Sequence, residues 1–423
     1  MIRPPAGGTL FDDLTGFASA TRGGQGGTDY IVTTLADYDP RDPGQRPIEG
    51  SLRYGVEKLI TPRHIRFSPA VFKAGDATVT LTRALRPRHG NFTLDGRSDQ
   101  GRVTLRRVYD WADYRHDKSG EACVIRPDIK SRRYYAVDPG GVIELVEVQN
   151  VILTHLRFRQ DTTGTPLQGV TDPECMGDQI TVFSKRRLKR ATAGVLQVMR
   201  NGRAEPRQLL TNTRAQSYDL IWINRNEFSE CKDGCIDVVA PSPAQPSRLS
   251  ITRNLFRDTN KTMILGLNSA DNLYADLHGN PTRHKLFVSV IGNRFERSQQ
   301  RAPRISSAVV HFANNLVHDW RYYGTGLAEH AVALIEHNVY WAENTPKSGE
   351  DAIYTFPDRQ GVSVLARNNH YMGRATRPGL REVDEATIAR YFGACWPHCA
   401  KIVPLGDQPA ADARQAITGN AGR

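Results

Sequence analysis

One asparagine recurs in the same register through the second half of this 423-residue chain. It sits in LIWINRNEF at Asn226, RLSITRNLF at Asn254 and FVSVIGNRF at Asn293, then in VVHFANNLV at Asn315, VALIEHNVY at Asn338 and VSVLARNNHY at Asn369. Each time a short alternating apolar run leads into it, and an aromatic or apolar residue follows two positions later. The spacings are 28, 39, 22, 23 and 31 residues. The shortest suit one coil of a parallel β-helix, and the longer ones suit coils carrying inserted loops. Strands of successive coils stack ~4.8 Å apart. A buried Asn at one corner of every coil can therefore bond its amide to the Asn above and below, which satisfies polar groups that are costly to bury. Asn also favours isolated turns, but chance turns would not share a register with the apolar run. An earlier segment, NVILTHLRF, follows the pattern with Leu156 in place of Asn. Few segments have helical period, so leucine-rich and helical repeats fit poorly, as do propellers. The expected fold is all-β, a single parallel β-helix domain over 1–423.

Composition narrows the class. The chain is 39% hydrophobic; adding its 36 glycines and setting aside its 15 tyrosines gives roughly 44%, near the globular norm of ~45–50%. Disorder, collagen and coiled coil are excluded as whole-chain readings, and no run reaches the ~18 apolar residues of a membrane span. The formal charge is +11, from 56 basic and 45 acidic residues. Arginine dominates the basic set, and its planar fork matches carboxylate or phosphate oxygens. By charge alone the partner is an acidic polysaccharide, a nucleic acid, or none. Cys123, Cys175, Cys231, Cys235, Cys395 and Cys399 contain no CxxC pair, and their pairing is open. The start, MIRPPAGGTLFDD, lacks a signal peptide's apolar stretch. Either the protein is cytoplasmic or the numbering begins after a removed signal.

Two segments break the regularity. Residues 104–140 are polar and charged with no clear strand. Residues 184–217 look like a loop inserted after QITVF; they carry nine Arg or Lys against Glu205 alone, as a solvated insertion or a basic wall over a cleft.

Specific motifs lie on this frame. GFASATRGGQGGTDYIVTTLAD (16–37), GSLRYGVE (50–57), PRHIRF (62–67), NFTLDGR (91–97) and NVILTHLRFR (150–159) come in order, followed by CKDGCIDV, NKTMILG, QRAPRI and HDWRYYGTG. Over about Gly16–Met372 the chain resembles the pectate lyase family, whose fold is a right-handed parallel β-helix. The resemblance implies a calcium ion on the outer face, held by Asp178 in GDQI and by Asp233 and Asp237 in DGCIDV. At strand period two, Asp233, Cys235 and Asp237 share one face while Ile236 and Val238 point inward. Three carboxylates gathered this way repel unless a cation joins them, and Ca²⁺ takes ~6–8 oxygen ligands. Where the family often has another Asp, two positions before Asp178, this chain has Met176.

The resemblance also implies Arg301 in QRAPRI as the proton-abstracting residue, and Lys261 in NKTMILG as its catalytic partner on a substrate carboxylate. β-Elimination removes the C5 proton of a uronide and expels the C4 oxygen. That proton becomes acidic only if charge on the C6 carboxylate is neutralised. Arginine is normally always charged, so lysine is the minority choice as base. The family pattern R-x-P-x-x-R ends here on Ser306; Arg304, two residues nearer, is the candidate substrate-binding replacement. Trp222–Arg225, WINR, stands where the family usually reads WIDH and is expected to be structural. His311, His318 and His330 are expected to be loop or strand residues, and Trp320 and Tyr322 to be packing positions. Cys395 and Cys399 could form a short-range disulfide, and residues 375–423 are expected to pack back on the helix.

The implied function is a secreted, monomeric, calcium-dependent pectate lyase. It would cleave de-esterified α-1,4-polygalacturonate by β-elimination to 4,5-unsaturated oligogalacturonides. Rivals are a pectin lyase, a lyase for another polyuronate, and a non-catalytic polysaccharide-binding β-helix. The expected partner is the acidic polysaccharide. Neither a membrane nor a nucleic acid is expected, since no known nucleic-acid-binding module appears.

Overall fold

The computed structural model describes residues 10–72, 75–115, 124–125, 140–166, 168, 176–184, 195–200, 203–208, 217–239, 241, 245–266, 284–349, 351–357, 361–376 and 379–393. Three parallel sheets of ten, nine and seven strands run the length of the molecule, and in each the strand order follows the chain. Each coil contributes one strand to each sheet, which is the predicted parallel β-helix. One coil reads Ser247–Thr252 in the first sheet, Leu255–Arg257 in the second and Lys261–Leu265 in the third.

The asparagines form a continuous ladder. The side-chain oxygen of Asn254 accepts from the Asn226 backbone N–H at 2.9 Å, and Asn293 does the same for Asn254. Asn315, Asn338 and Asn369 continue it at 2.9, 2.9 and 3.0 Å. Each amide also donates to a carbonyl of the preceding coil, as Asn293 does to Ile251 at 2.9 Å. Leu156 has no amide, yet its N–H still donates to Asn226 at 2.9 Å, so the ladder starts there. The residue before each ladder Asn is left-handed, with φ of 54° at Arg225, 57° at Arg253, 66° at Gly292 and 52–54° at Asn314, His337 and Asn368. That kink turns the chain from the first sheet into the second. Two residues after the Asn, aromatic rings stack inside the coil: Phe158, Phe228, Phe256 and Phe295 lie 4.8, 4.8 and 4.9 Å apart, nearly parallel.

The structure has strands in 104–140 where the sequence reading found none, the longest of them in the second sheet and two short ones, Tyr114–Arg115 and Val124–Ile125, paired antiparallel. Val103–Asp110 belongs to the second sheet, with Val103, Leu105, Arg107 and Tyr109 facing inward. Arg107 disguises the alternation. Its guanidinium lies over the Tyr109 ring at 5.0 Å and donates to the Leu81 and Thr82 carbonyls, so a charge is accommodated at a core position. Within the basic insertion, Val195–Arg200 and Arg203–Gln208 pair as an antiparallel ribbon; apart from the buried ends Ser184 and Ser217, the rest of 184–217 lies outside the described residues. So do Cys123, Cys175, Cys395, Cys399 and the tail beyond Gly393.

The one α-helix among the described residues, α1 (Glu385–Phe392), is capped by Asp384, whose carboxylate accepts from the Thr387 N–H at 2.7 Å. It packs Ile388 and Phe392 on Val309, Val332 and Leu334 of the first sheet, beside Phe17 from the N-terminal segment. A chain of polar contacts pins it, buried at His311 and Glu336 and open to solvent at Glu385. His311 contacts Glu336 at 2.9 Å, Glu336 accepts from Arg367 at 2.7 Å, and Arg367 donates to Glu385 at 2.9 Å. Trp320 is a packing residue as expected, but Tyr322 is 50% exposed, and its neighbour Tyr323 is the buried one. No helix among the described residues is long and apolar enough to cross a membrane.

Two predictions follow from this packing. Asn293→Ala strands the Asn254 and Asn315 groups that its side chain satisfies, so denaturant titration will read a loss of about 3 kcal/mol or more. Asn369→Ala, at the half-buried end of the ladder, will cost less. For Glu336, burial raises the carboxyl pKa, but His311 and Arg367 outweigh it and bring it from 4.5 down to about 2. A depressed carboxylate stabilises the fold above its unfolded pKa and loses that contribution as pH falls through the folded one. Glu336→Gln will therefore lower stability by about 1–3 kcal/mol at neutral pH. The gap to wild type will close between pH 4.5 and about 2.

Candidate active site

The candidate residues gather on the outer face of the third sheet. Outward-facing positions of successive coils are in register there: Glu144 beside Thr181, then Asp237, Ile264, Arg304, Gly326 and Tyr354. A second row holds Gly234 beside Lys261, and Lys261 beside Gln300, one residue before Arg301. Coil stacking thus brings together residues that lie up to 123 positions apart, from Asp178 to Arg301.

Asp178 and Asp237 converge around Gly234. Asp178 accepts from the Gly234 N–H at 3.0 Å and from the Thr181 hydroxyl at 3.2 Å, while Asp237 accepts from the Ile264 N–H at 3.2 Å. A side-chain carbon at position 234 would meet Asp178 Oδ1 at 2.6 Å and Asp237 Oδ1 at 2.8 Å. Glycine therefore leaves open the space that both carboxylates face. Asp233 precedes the strand Gly234–Val238 rather than sharing its alternation, and its carboxylate lies 3.6 Å from Lys261 Nζ. Among the described residues no three carboxylate, imidazole or thiol side chains close around one point. Two aspartates face the gap, and the third stands beside them against Lys261.

The electrostatics match this geometry. Burial pushes the Asp178 carboxyl up, against its hydrogen bonds and the Arg301 charge. Burial pushes Asp237 up further, and the charges of Asp178 and Asp233 add to it. Arg301 opposes both shifts, which sets its charge close to the pair. The carboxylates repel at neutral pH, and a hard cation with affinity for oxygen ligands would relieve them. The residues present fit calcium: two anionic oxygen donors face a gap that a side chain would fill, with a third carboxylate adjacent. Met176 is fully buried, so its position adds no ligand.

Arg301 has a left-handed backbone, φ 64°, and its carbonyl accepts from the Met263 N–H at 3.0 Å. Its buried Nε has no hydrogen-bond partner among the described residues. Ser306 is buried, with its hydroxyl 3.4 Å from the Glu329 carbonyl, so the chain is covered where the family pattern places its second arginine. Arg304 lies on the cleft face, its guanidinium 4.6 Å from the Phe356 ring centre. Trp222 and Asn224 are fully buried, and WINR is structural as expected.

The sequence reading missed three supports. Cys231 and Cys235 form a disulfide that closes the turn carrying Asp233 and Gly234. Gln160 points inward and ties two site loops together: it donates to the Gly177 carbonyl at 2.9 Å, next to Asp178, and accepts from the Lys232 N–H at 3.0 Å, next to Asp233. A polar residue at an inward position of the alternating strand Leu156–Thr163 was the available signal. Gly234 itself gives no sign in sequence that a space is needed.

Comparison with known proteins bears on the family and the fold. A sequence model described as pectate lyase matches residues 224–378, which hold Asp233, Asp237, Lys261, Arg301 and Arg304 but not Asp178. Pectate lyase 1 of Cryptomeria japonica is 28% identical over 336 residues, covering 79% of this chain and 67% of that protein. Putative pectate lyase 17 of Arabidopsis thaliana is 26% identical over 349 residues, covering 81% and 65%. These matches support assignment to the pectate lyase family. The chain spans about two thirds of the length of these two relatives. The fold is shared with solved structures. That of Jun a 1, the major allergen from cedar pollen, superposes with a TM-score of 0.52 at 20% identity, covering 96% of this chain and 92% of the other. That of a Bacillus pectate lyase in complex with trigalacturonate gives 0.50 at 15%, covering 96% and 98%.

The raised Asp237 pKa yields a test. Its protonated form stabilises the metal-free fold at acid pH. That contribution is lost as pH rises from the ordinary carboxylate range through the folded value. Asn keeps the oxygen that accepts from Ile264 but cannot ionise. In chelating buffer, Asp237→Asn will therefore melt higher than wild type at neutral pH, and the two will converge on acidification. Equal melting at both pH values would remove the repulsion argument.

Proposed function

We propose that this protein is a calcium-dependent pectate lyase, exported from the cell, that cleaves de-esterified α-1,4-polygalacturonate to 4,5-unsaturated oligogalacturonides. The observation that carries the reading is the facing of Asp178 and Asp237 across Gly234, with Lys261 and Arg301 on the next two coils of the same face. Similarity to pectate lyases supports the lyase class, and the trigalacturonate bound by a Bacillus pectate lyase of the same fold supports the substrate class. A glycoside hydrolase would need paired carboxylates as acid and base or nucleophile, which leaves Arg301 unexplained.

Asp178 and Asp237, with Asp233 beside them, would hold the calcium, which when bound would supply positive charge to neutralise a uronate carboxylate. Lys261 holds the carboxylate of the sugar being cleaved and neutralises the charge that builds there as C5 loses its proton. Arg301 acts as the neutral guanidine, having first given a proton to solvent, and takes the C5 proton on its unprotonated nitrogen. The C5–H electron pair becomes the C4=C5 double bond, and the C4–O bond breaks with its pair leaving on the glycosidic oxygen. Ser306 in place of the family's second arginine favours one variant of this reading, in which another polyuronate is the better substrate.

Polygalacturonate incubated with and without calcium, followed by near-ultraviolet absorbance of the unsaturated end, tests the function directly. Product in calcium and none in chelator is expected; no product in either rejects the reading. Arg301→Lys will lower kcat by ~10²–10⁴ if Arg301 moves the proton. It will chiefly raise KM if Arg301 only grips the carboxylate. Asp237→Asn will raise the calcium needed for half-maximal rate at least tenfold, about 1.4 kcal/mol of binding.

A further inference from the structure

Gln160 and Gln179 are the only fully buried glutamines among the described residues. Gln160 lies on Leu156–Thr163 of the second sheet, and Gln179 directly precedes Ile180–Phe183 of the third. Both act on the two turns that carry the aspartates into the third sheet. Gln160 donates to the Tyr109 hydroxyl at 2.8 Å and to the Gly177 carbonyl at 2.9 Å, and it accepts from the Lys232 N–H at 3.0 Å. Gln179 donates through its side chain to the Ser229 carbonyl at 2.7 Å and through its backbone N–H to the Gly234 carbonyl at 3.0 Å. Asp178 thus stands between two residues tied to the next coil, and Asp233 stands between two residues that receive those ties. The preceding coil closes the other side. A side-chain carbon at Gly141 would meet the Asp178 carbonyl oxygen at 1.3 Å, so that backbone has no room to retreat. The Tyr109 hydroxyl also donates to the Gly140 carbonyl at 3.3 Å, which draws a third turn into the same set of bonds.

We propose that Gln160 and Gln179 are positioning residues of the calcium site: they hold turn 177–179 against turn 229–234 and thereby set the affinity of the three aspartates for the ion. The inference rests on the calcium reading and adds to it what keeps the ligands in place before the ion arrives. Like charges on neighbouring turns push those turns apart, and a spread pair would have to be pulled together at the expense of binding. A buried amide is tolerated only when its donors and acceptor are paired, so each glutamine permits one spacing of the turns it joins. The next coils show that packing at this corner does not require amides. There the Thr259 hydroxyl donates to the Ser298 hydroxyl at 2.9 Å, and small side chains suffice. The longer, two-ended amides occur on the coils where carboxylates must be kept close.

The test titrates calcium into chelator-stripped protein by calorimetry, for wild type, Gln160→Met, Gln179→Met and Asn369→Ala. Methionine keeps the length of glutamine and removes its hydrogen bonds. Each methionine variant will bind calcium about 10–100-fold more weakly, the range for groups that orient metal ligands. The calcium needed for half-maximal cleavage will rise by the same factor. Asn369→Ala, at the far end of the asparagine ladder, will lower the melting temperature and leave calcium affinity where it was, so lost stability alone does not move the readout. If neither methionine variant folds, Tyr109→Phe decides: it removes one acceptor of Gln160, keeps the ring, and will weaken calcium binding by a smaller factor. Folded glutamine variants, or Tyr109→Phe in their place, with lower melting temperatures and wild-type calcium affinity would overturn the inference and leave these side chains as packing. Wild type that binds calcium but cleaves no polyuronate would reject the lyase reading and leave this inference standing. Wild type that binds no calcium would overturn the calcium reading and the inference together.

Discussion

The amide ladder at the corner between the first and second sheets is the constraint on which this molecule depends. Each ladder asparagine uses its side-chain oxygen on the coil before and its N–H groups on the coils to either side, as Asn293 does with Asn254, Ile251 and Asn315. A coil slipped by one residue would place an apolar side chain where these buried groups need a partner, at a cost of several kcal/mol per coil. Register is therefore fixed at one corner, and the Phe158–Phe295 stack repeats the same register inside. The third sheet has fewer anchors of its own. It inherits its alignment from the other two, because each coil is a closed circuit of three short strands.

Function depends on that inheritance. Asp178, Asp237, Lys261 and Arg301 come from four segments whose loops differ widely in length, yet their strands are adjacent in order. The arrangement is electrostatically costly without a cation: like charges are held together by a scaffold whose stability lies elsewhere. Local supports then act on loops rather than on strands. The Cys231–Cys235 bridge and the Gln160 hydrogen bonds hold the two turns that bring Asp233 and Asp178 to the face. Pre-set repulsion of this kind favours metal affinity, since the cation removes a penalty as well as forming bonds.

The fold was legible in sequence because its signal is periodic and repeated. Six asparagines in one frame leave little choice of architecture, and the alternation around each of them gives the strands of the first sheet. Val103–Asp110 was lost because Arg107 occupies an inward position, and a charge reads as outward by default. The site was legible as a set of residue types but not as a geometry. Strand alternation put Asp233 with Asp237, whereas the structure gives Asp237 to Asp178 and sets Asp233 against Lys261. Such a shift of partner is invisible to periodicity, because it depends on where the strand begins. Gly234 shows the same limit: its role is to be absent, and only the neighbouring coil reveals what its missing side chain leaves room for.

Ser306 and Arg304 show how differently one turn of a solenoid can place two residues that are close in the chain. A cation two residues along one strand would normally point the same way and serve the same ligand. Here the later position is covered, near the Glu329 carbonyl, while the earlier one faces outward onto Phe356 from a later coil. Because outward positions of every coil lie in rows about 4.8 Å apart, a lost contact can be replaced from above or below as readily as from along the strand. The replacement needs only a neighbour that keeps the new side chain extended, and an aromatic ring under a guanidinium does that at small entropic cost. In a stacked-coil enzyme, then, specificity is written across coils, and the residue to compare with a missing one is its neighbour in the row before its neighbour in the chain.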